Sequence, residues 1–70
     1  IGVHVKDIAA PGTCEDEDGW ADVGTGTLPW GDLTALVKRV APEAALIAEH
    51  DNPSDPERFA RVSIQNLQEL

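Results

Sequence analysis

Two short runs of strand-forming residues, Ile1–Lys6 and Ala44–Ala48, each give way to polar residues and then to an amphipathic stretch. A strand–loop–helix unit therefore occurs twice within 70 residues. The first run alternates apolar with other residues in a β-branched setting, and Ala9-Ala10-Pro11-Gly12 breaks it. The second is continuously apolar, bounded by Pro42 and by Glu49-His50-Asp51-Asn52-Pro53, the pattern of a strand buried on both faces in a parallel sheet. Between the first strand and its helix lie about twenty residues, from Cys14 through Gly19-Trp20 to Gly24-Thr25-Gly26, a length that points to function or disorder.

From Trp30 the apolar residues Leu33, Leu36, Val37 and Val40 recur at helical spacing while Asp32, Lys38 and Arg39 point elsewhere, which predicts an amphipathic helix. Pro29 suits its first turn, Lys38 and Arg39 complement the negative pole of its dipole, and Pro42 stops it. Ser54-Asp55-Pro56-Glu57 reads as a capping box opening a second helix that carries Phe59, Val62, Leu67 and Leu70 toward a core.

Two parallel strands joined by a crossover helix need helices on both faces, or a closed barrel, to be buried. Two strands cannot provide this, methionine is absent, and the chain opens inside a strand, so residues 1–70 read as one incomplete unit, a piece of a larger domain. Thirteen acidic against five basic residues give a formal charge of −8, a field that repels nucleic acid and anionic membranes. Four of those acids, Glu15 to Asp18, form one run, the usual signature of a solvated loop. No run is long and apolar enough for a membrane span, and the lone Cys14 suits a reducing compartment, so a cytoplasmic location is expected.

In α/β folds reactive groups gather at the C-terminal ends of parallel strands. One such end carries His4, Lys6 and Asp7, the other Glu49, His50 and Asp51. Neighbouring strands lie about 4.8 Å apart, so groups at adjacent ends can share an ion. An imidazole nitrogen from His4 and a carboxylate oxygen from Glu49 suit Zn, Mn, Fe or Co. On pattern alone His4 is as readily a histidine satisfied within the fold as a ligand, whereas a carboxylate ending a buried strand needs a cation more urgently.

His4-Val5-Lys6-Asp7, Gly24-Thr25-Gly26-Thr27-Leu28-Pro29-Trp30 and Ala48-Glu49-His50-Asp51-Asn52-Pro53, in that order, resemble the last two β/α units of the xylose isomerase-like sugar-phosphate isomerase/epimerase family. The resemblance implies the last two β/α units of a (β/α)8 TIM barrel, incomplete on its own. It also implies a divalent ion (Mn, Zn, Co or Mg) held by His4 and Glu49, with further ligands on preceding strands. Glu49 would be both ligand and base, and Lys6 would hold a substrate oxygen or phosphate, with a lysine satisfied by Asp7 or Glu49 as the equal alternative. Trp20 reads as an apolar wall against a sugar face, and His50, Asp51 and Asn52 as substrate contacts or as groups supporting the ligands, although a capped turn accounts equally for Asp51 and Asn52. Gly24 and Gly26 read chiefly as turn geometry, with a phosphate cradle as the other option. Asp18-Gly19-Trp20 places tryptophan where related endonucleases acting on abasic DNA carry a histidine ligand, which argues against a nuclease.

These readings converge on a metal-dependent sugar or sugar-phosphate isomerase or epimerase, possibly a dehydratase, acting on a small molecule, with the 70-residue piece alone inactive. The alternatives are a non-catalytic acidic α/β binding module and a degenerate homologue of the barrel.

Overall fold

A computed structural model describes residues 2–70. Ile1, where the first strand was expected to open, lies outside the described residues. The elements are strand β1 (Gly2–Ile8), a single 3-10 turn (Glu15–Glu17), strand β2 (Trp20–Ala21), helix α1 (Trp30–Val40), strand β3 (Ala45–Glu49) and helix α2 (Pro56–Gln68). They form a three-stranded mixed sheet in the order β2-β1-β3, with β3 parallel and β2 antiparallel to β1.

This sheet corrects the expectation of two β/α units of a (β/α)8 barrel. The long loop is not a plain connection: it folds back and adds a strand of opposite direction to β1, pairing Asp7 with Ala21 and Ile8 with Trp20. Cys14 and Asp18 adopt left-handed conformations at φ 54° and 57°, and with Gly19 at φ 80° they reverse the chain tightly enough for Ala9 N–H to bond Gly19 C=O at 2.9 Å. An all-parallel barrel unit has no such strand.

Strand alternation sorts the sheet into two faces. Val3, Val5, Leu46 and Ala48 meet Trp30, Leu33, Phe59 and Leu67 of the helices, with Val5, Val23 and Trp30 at the buried centre. His4, Lys6, Ile8, Ile47 and Glu49 lie on the other face, which neither α1 nor α2 covers. β3 was expected to be buried on both sides, yet Ile47 is 43% exposed because only one side of the sheet is covered. Leu36 and Val40 of α1, expected to face the core, are 47% and 73% exposed, since α1 meets the sheet through Trp30 and Leu33 and leaves an open apolar cleft beside β1.

Helix boundaries follow local chemistry. Pro29 is the N-cap residue of α1. Asp55 caps α2 by accepting the Arg58 N–H at 3.0 Å, with Pro56 in the first turn. From α2, buried Ser63 accepts the Val23 N–H at 3.0 Å and Asn66 donates to the Val23 carbonyl at 2.9 Å, so both backbone groups of that buried residue are satisfied.

The interior is organised around Asp7, which is fully buried on the core face of β1. Its Oδ2 accepts Gly24 N–H at 2.9 Å, Gly26 N–H at 2.8 Å and the Trp30 indole N–H at 2.8 Å. Its Oδ1 accepts Ile8 N–H at 2.9 Å and Leu28 N–H at 3.3 Å. Burial pushes this carboxyl up, but the hydrogen bonds from Trp30, Gly26, Leu28 and Ile8 together hold it below its ordinary value. Gly26 is required by this approach: a Cβ there would overlap the Ile8 carbonyl oxygen and the Asp7 carboxylate.

Candidate functional site on the uncovered sheet face

The parallel register of β1 and β3 sets the site. His4 is registered with Ile47 and Lys6 with Glu49, and each β1 side chain reaches forward to the next residue of the same face. His4 Nδ1 thus lies 2.5 Å from Glu49 Oε1, and Lys6 Nζ donates to Asp51 Oδ1 at 2.9 Å. The Lys6 ammonium also stands 4.4 Å from the centre of the Trp20 ring, a cation–π contact made possible by β2. His4, Lys6, Trp20, Glu49 and Asp51 consequently form one cluster, open to solvent, with the His4 and Glu49 side chains 60% and 40% exposed.

Four of the five residues predicted from sequence meet here: His4, Lys6, Trp20 and Glu49. The fifth, His50, does not. Its side chain is fully buried, stands edge-on to Phe59 with ring centroids 5.4 Å apart, and accepts the Asn52 N–H at Nδ1. Asp51, read from sequence either as a substrate contact or as part of a capped turn, is the partner of Lys6. Neither Asp7 nor Glu49 takes that role, because Asp7 points to the opposite face and Glu49 is engaged by His4.

His4 and Glu49 fit a divalent cation by donor chemistry, one imidazole nitrogen beside one carboxylate oxygen. Two atoms bound to one ion at about 2.0–2.2 Å stand about 3.0–3.4 Å apart, from octahedral to tetrahedral angles. The pair would have to open by about 0.5–0.9 Å from its 2.5 Å contact, a motion available to two exposed side chains.

A second set of donors lies between the loop, β3 and α2. Glu17, Asp22 and His50 each offer an atom within 4.8 Å of one another, an arrangement that could hold a metal ion. There the cationic position is taken by Arg58, whose Nη2 lies 2.7 Å from Glu17 Oε1 and whose Nε lies 2.9 Å from Asp22 Oδ2. Arg58 and the Ser54 N–H pull the Glu17 carboxyl below its ordinary value, and the two carboxylates hold the guanidinium above its own. His50 Nε2 faces Glu17 Oε1 at 3.3 Å without a hydrogen-bond partner among the described residues. This cluster fastens the loop to α2 and is the poorer match for a metal, because an ion would have to displace a doubly paired guanidinium. The sequence gives little sign of it, since its members stand far apart along the chain.

The glycine loop is likewise filled from within. The N–H groups of Gly24, Gly26 and Leu28, which could have cradled a phosphate, all point at Asp7. Among the described residues no helix is long and apolar enough to cross a membrane. No protein-family model, no curated protein and no solved structure matches this chain.

Proposed function

We propose that the uncovered sheet face takes part in metal-assisted proton transfer next to the carbonyl of a sugar or sugar derivative, an isomerase or epimerase chemistry. The observation that carries the reading is the convergence of His4 and Glu49, distant in sequence, on one exposed face beside Lys6 and Trp20. The reading rests on that cluster and not on a barrel. His4 and Glu49 would hold the divalent ion, which when bound supplies Lewis-acid polarisation of the substrate oxygens. Glu49, with one carboxylate oxygen against His4, has a second oxygen for taking the proton from the carbon beside the carbonyl and returning it, on the same face, to the neighbouring carbon. Lys6 would orient a substrate hydroxyl through its remaining N–H donors, and the Trp20 ring would offer an apolar edge to the C–H face of the sugar. Lone Cys14 and the acidic surface fit a reducing, cytoplasmic setting.

The test is isotopic. The expectation that these 70 residues alone are inactive rests on the barrel. Without it, in D2O with Mn2+ and a ketose the protein is expected to catalyse incorporation of deuterium at the carbon next to the carbonyl, and Glu49→Gln is expected to abolish it. Incorporation no faster than with Mn2+ alone, or incorporation unchanged in Glu49→Gln, would remove the reading.

A further inference from the structure

Resting on that reading, we infer that the site accepts an uncharged polyhydroxy carbonyl compound in preference to a phosphate ester, and that Asp51 is the residue that sets the preference. Recognition of a phosphoryl group needs donors not already claimed by an anion. Two features of this chain could supply them, and each is occupied by a carboxylate of the chain itself. Lys6, the cation of the cluster, donates to Asp51 at 2.9 Å and rests against the Trp20 ring at 4.4 Å. The glycine-loop N–H groups of Gly24, Gly26 and Leu28 converge on buried Asp7.

The remaining cations do not redress this. Arg58 is paired with Glu17 and Asp22, and Lys38 donates to the Leu70 carbonyl at 2.8 Å. Arg39 sits in the last turn of α1 and Arg61 in α2, on helices that cover the opposite face. A dianionic phosphate would therefore meet Glu49 and Asp51 with only a neutralised lysine to receive it, in a chain of formal charge −8. A divalent ion at His4 and Glu49 adds positive charge, but that charge engages the reacting oxygens. A neutral sugar meets none of this repulsion, and its hydroxyls can bond both members of the Lys6–Asp51 pair at once, since one donates and the other accepts.

Asp51 is 60% exposed in its side chain and among the described residues accepts only from Lys6, so Asp51→Asn is expected to fold normally while releasing Lys6. The experiment is an NMR titration of the Zn2+-loaded protein with a ketohexose, its 6-phosphate and inorganic phosphate, read at the Trp20 indole and the Lys6 side chain. In the wild type the neutral sugar is expected to bind roughly tenfold more tightly than its phosphate. In Asp51→Asn the phosphate ester is expected to gain about tenfold, with inorganic phosphate now moving the Lys6 signal, in keeping with one charge-assisted hydrogen bond. Tighter binding of the phosphate ester by the wild type would overturn the inference and leave the sugar reading standing. Unchanged preferences in Asp51→Asn would remove Asp51 as the determinant. Failure of the sugar and its ester to bind either protein would remove the sugar reading and the inference with it.

Discussion

Asp7→Ala is expected to leave the chain unfolded at neutral pH and 25 °C, with far-UV circular dichroism that shows no cooperative melt. One buried carboxylate serves five N–H donors from β1, the glycine loop and α1, and its loss orphans all of them together. Each unsatisfied buried donor costs about 1–3 kcal/mol, and solvent entering the cavity recovers only part of that. A chain of this size has about 3–10 kcal/mol of stability in total. Asp7→Asn is expected to be nearly as damaging, because it turns an amide N–H2 toward a ring of donors.

The same node is expected to govern acid unfolding. The Asp7 carboxyl is held below its ordinary value of 3.8 in the fold. Its contribution is therefore fully present above the unfolded-state value and is lost as pH falls below about 3.8 toward the folded value, with Glu17 acting in the same direction from 4.5. Stability that is flat from pH 7 down to about pH 5 and then falls is the expected profile; a loss centred near pH 6 would place the control on a histidine instead.

The second large effect concerns the ion. His4→Ala and Glu49→Gln are each expected to weaken Mn2+ or Zn2+ binding by calorimetry at least on the order of 100-fold, because each removes one of two protein ligands. Loss of a group that only supports a ligand typically costs 10–100-fold. Neither change is expected to shift the melting temperature much, since both side chains lie on the uncovered face. His50→Gln is the discriminating control: it removes the other histidine and is expected to leave the affinity within about twofold. If only His50→Gln abolished binding, the ion would belong to the Glu17–Asp22 cluster.

The order of β1, α1, β3 and α2 was legible in the sequence because each rests on a local signal. Helical spacing from Trp30, Pro29 at the start of α1, a cap within residues 54–57, which falls on Asp55 and not on Ser54 as a capping box requires, and the apolar run before Glu49 all act within a few residues. His4 and Glu49 do meet, but through the parallel register on one sheet face and not at the strand ends expected from sequence, since His4 is the third of the seven residues of β1. What escaped is long-range. β2 is two residues long, too short for any periodicity, and its antiparallel pairing is set by turns at Cys14, Asp18 and Gly19. That strand is what makes the sheet mixed and the barrel expectation wrong.

Asp7 carries a local sign of its role: it has the parity of Val3 and Val5, so it belongs to the core face, where a carboxylate demands several donors. The orientation of His50 had no comparable sign, because the residue follows the last position of β3, where strand alternation ends. The Arg58 bridge depends on the loop folding back and follows from no local pattern.

The most direct test of the central claim is the location of the bound ion. Substoichiometric Mn2+ added to isotopically labelled protein should broaden the NMR signals of His4 and Glu49 first, then those of Lys6 and Ile47 on the same face, while Asp22, His50 and the glycine loop broaden later. Broadening centred on Glu17, Asp22 and His50, or spread along the acidic run Glu15–Asp18 with His4 and Glu49 unaffected, would contradict it.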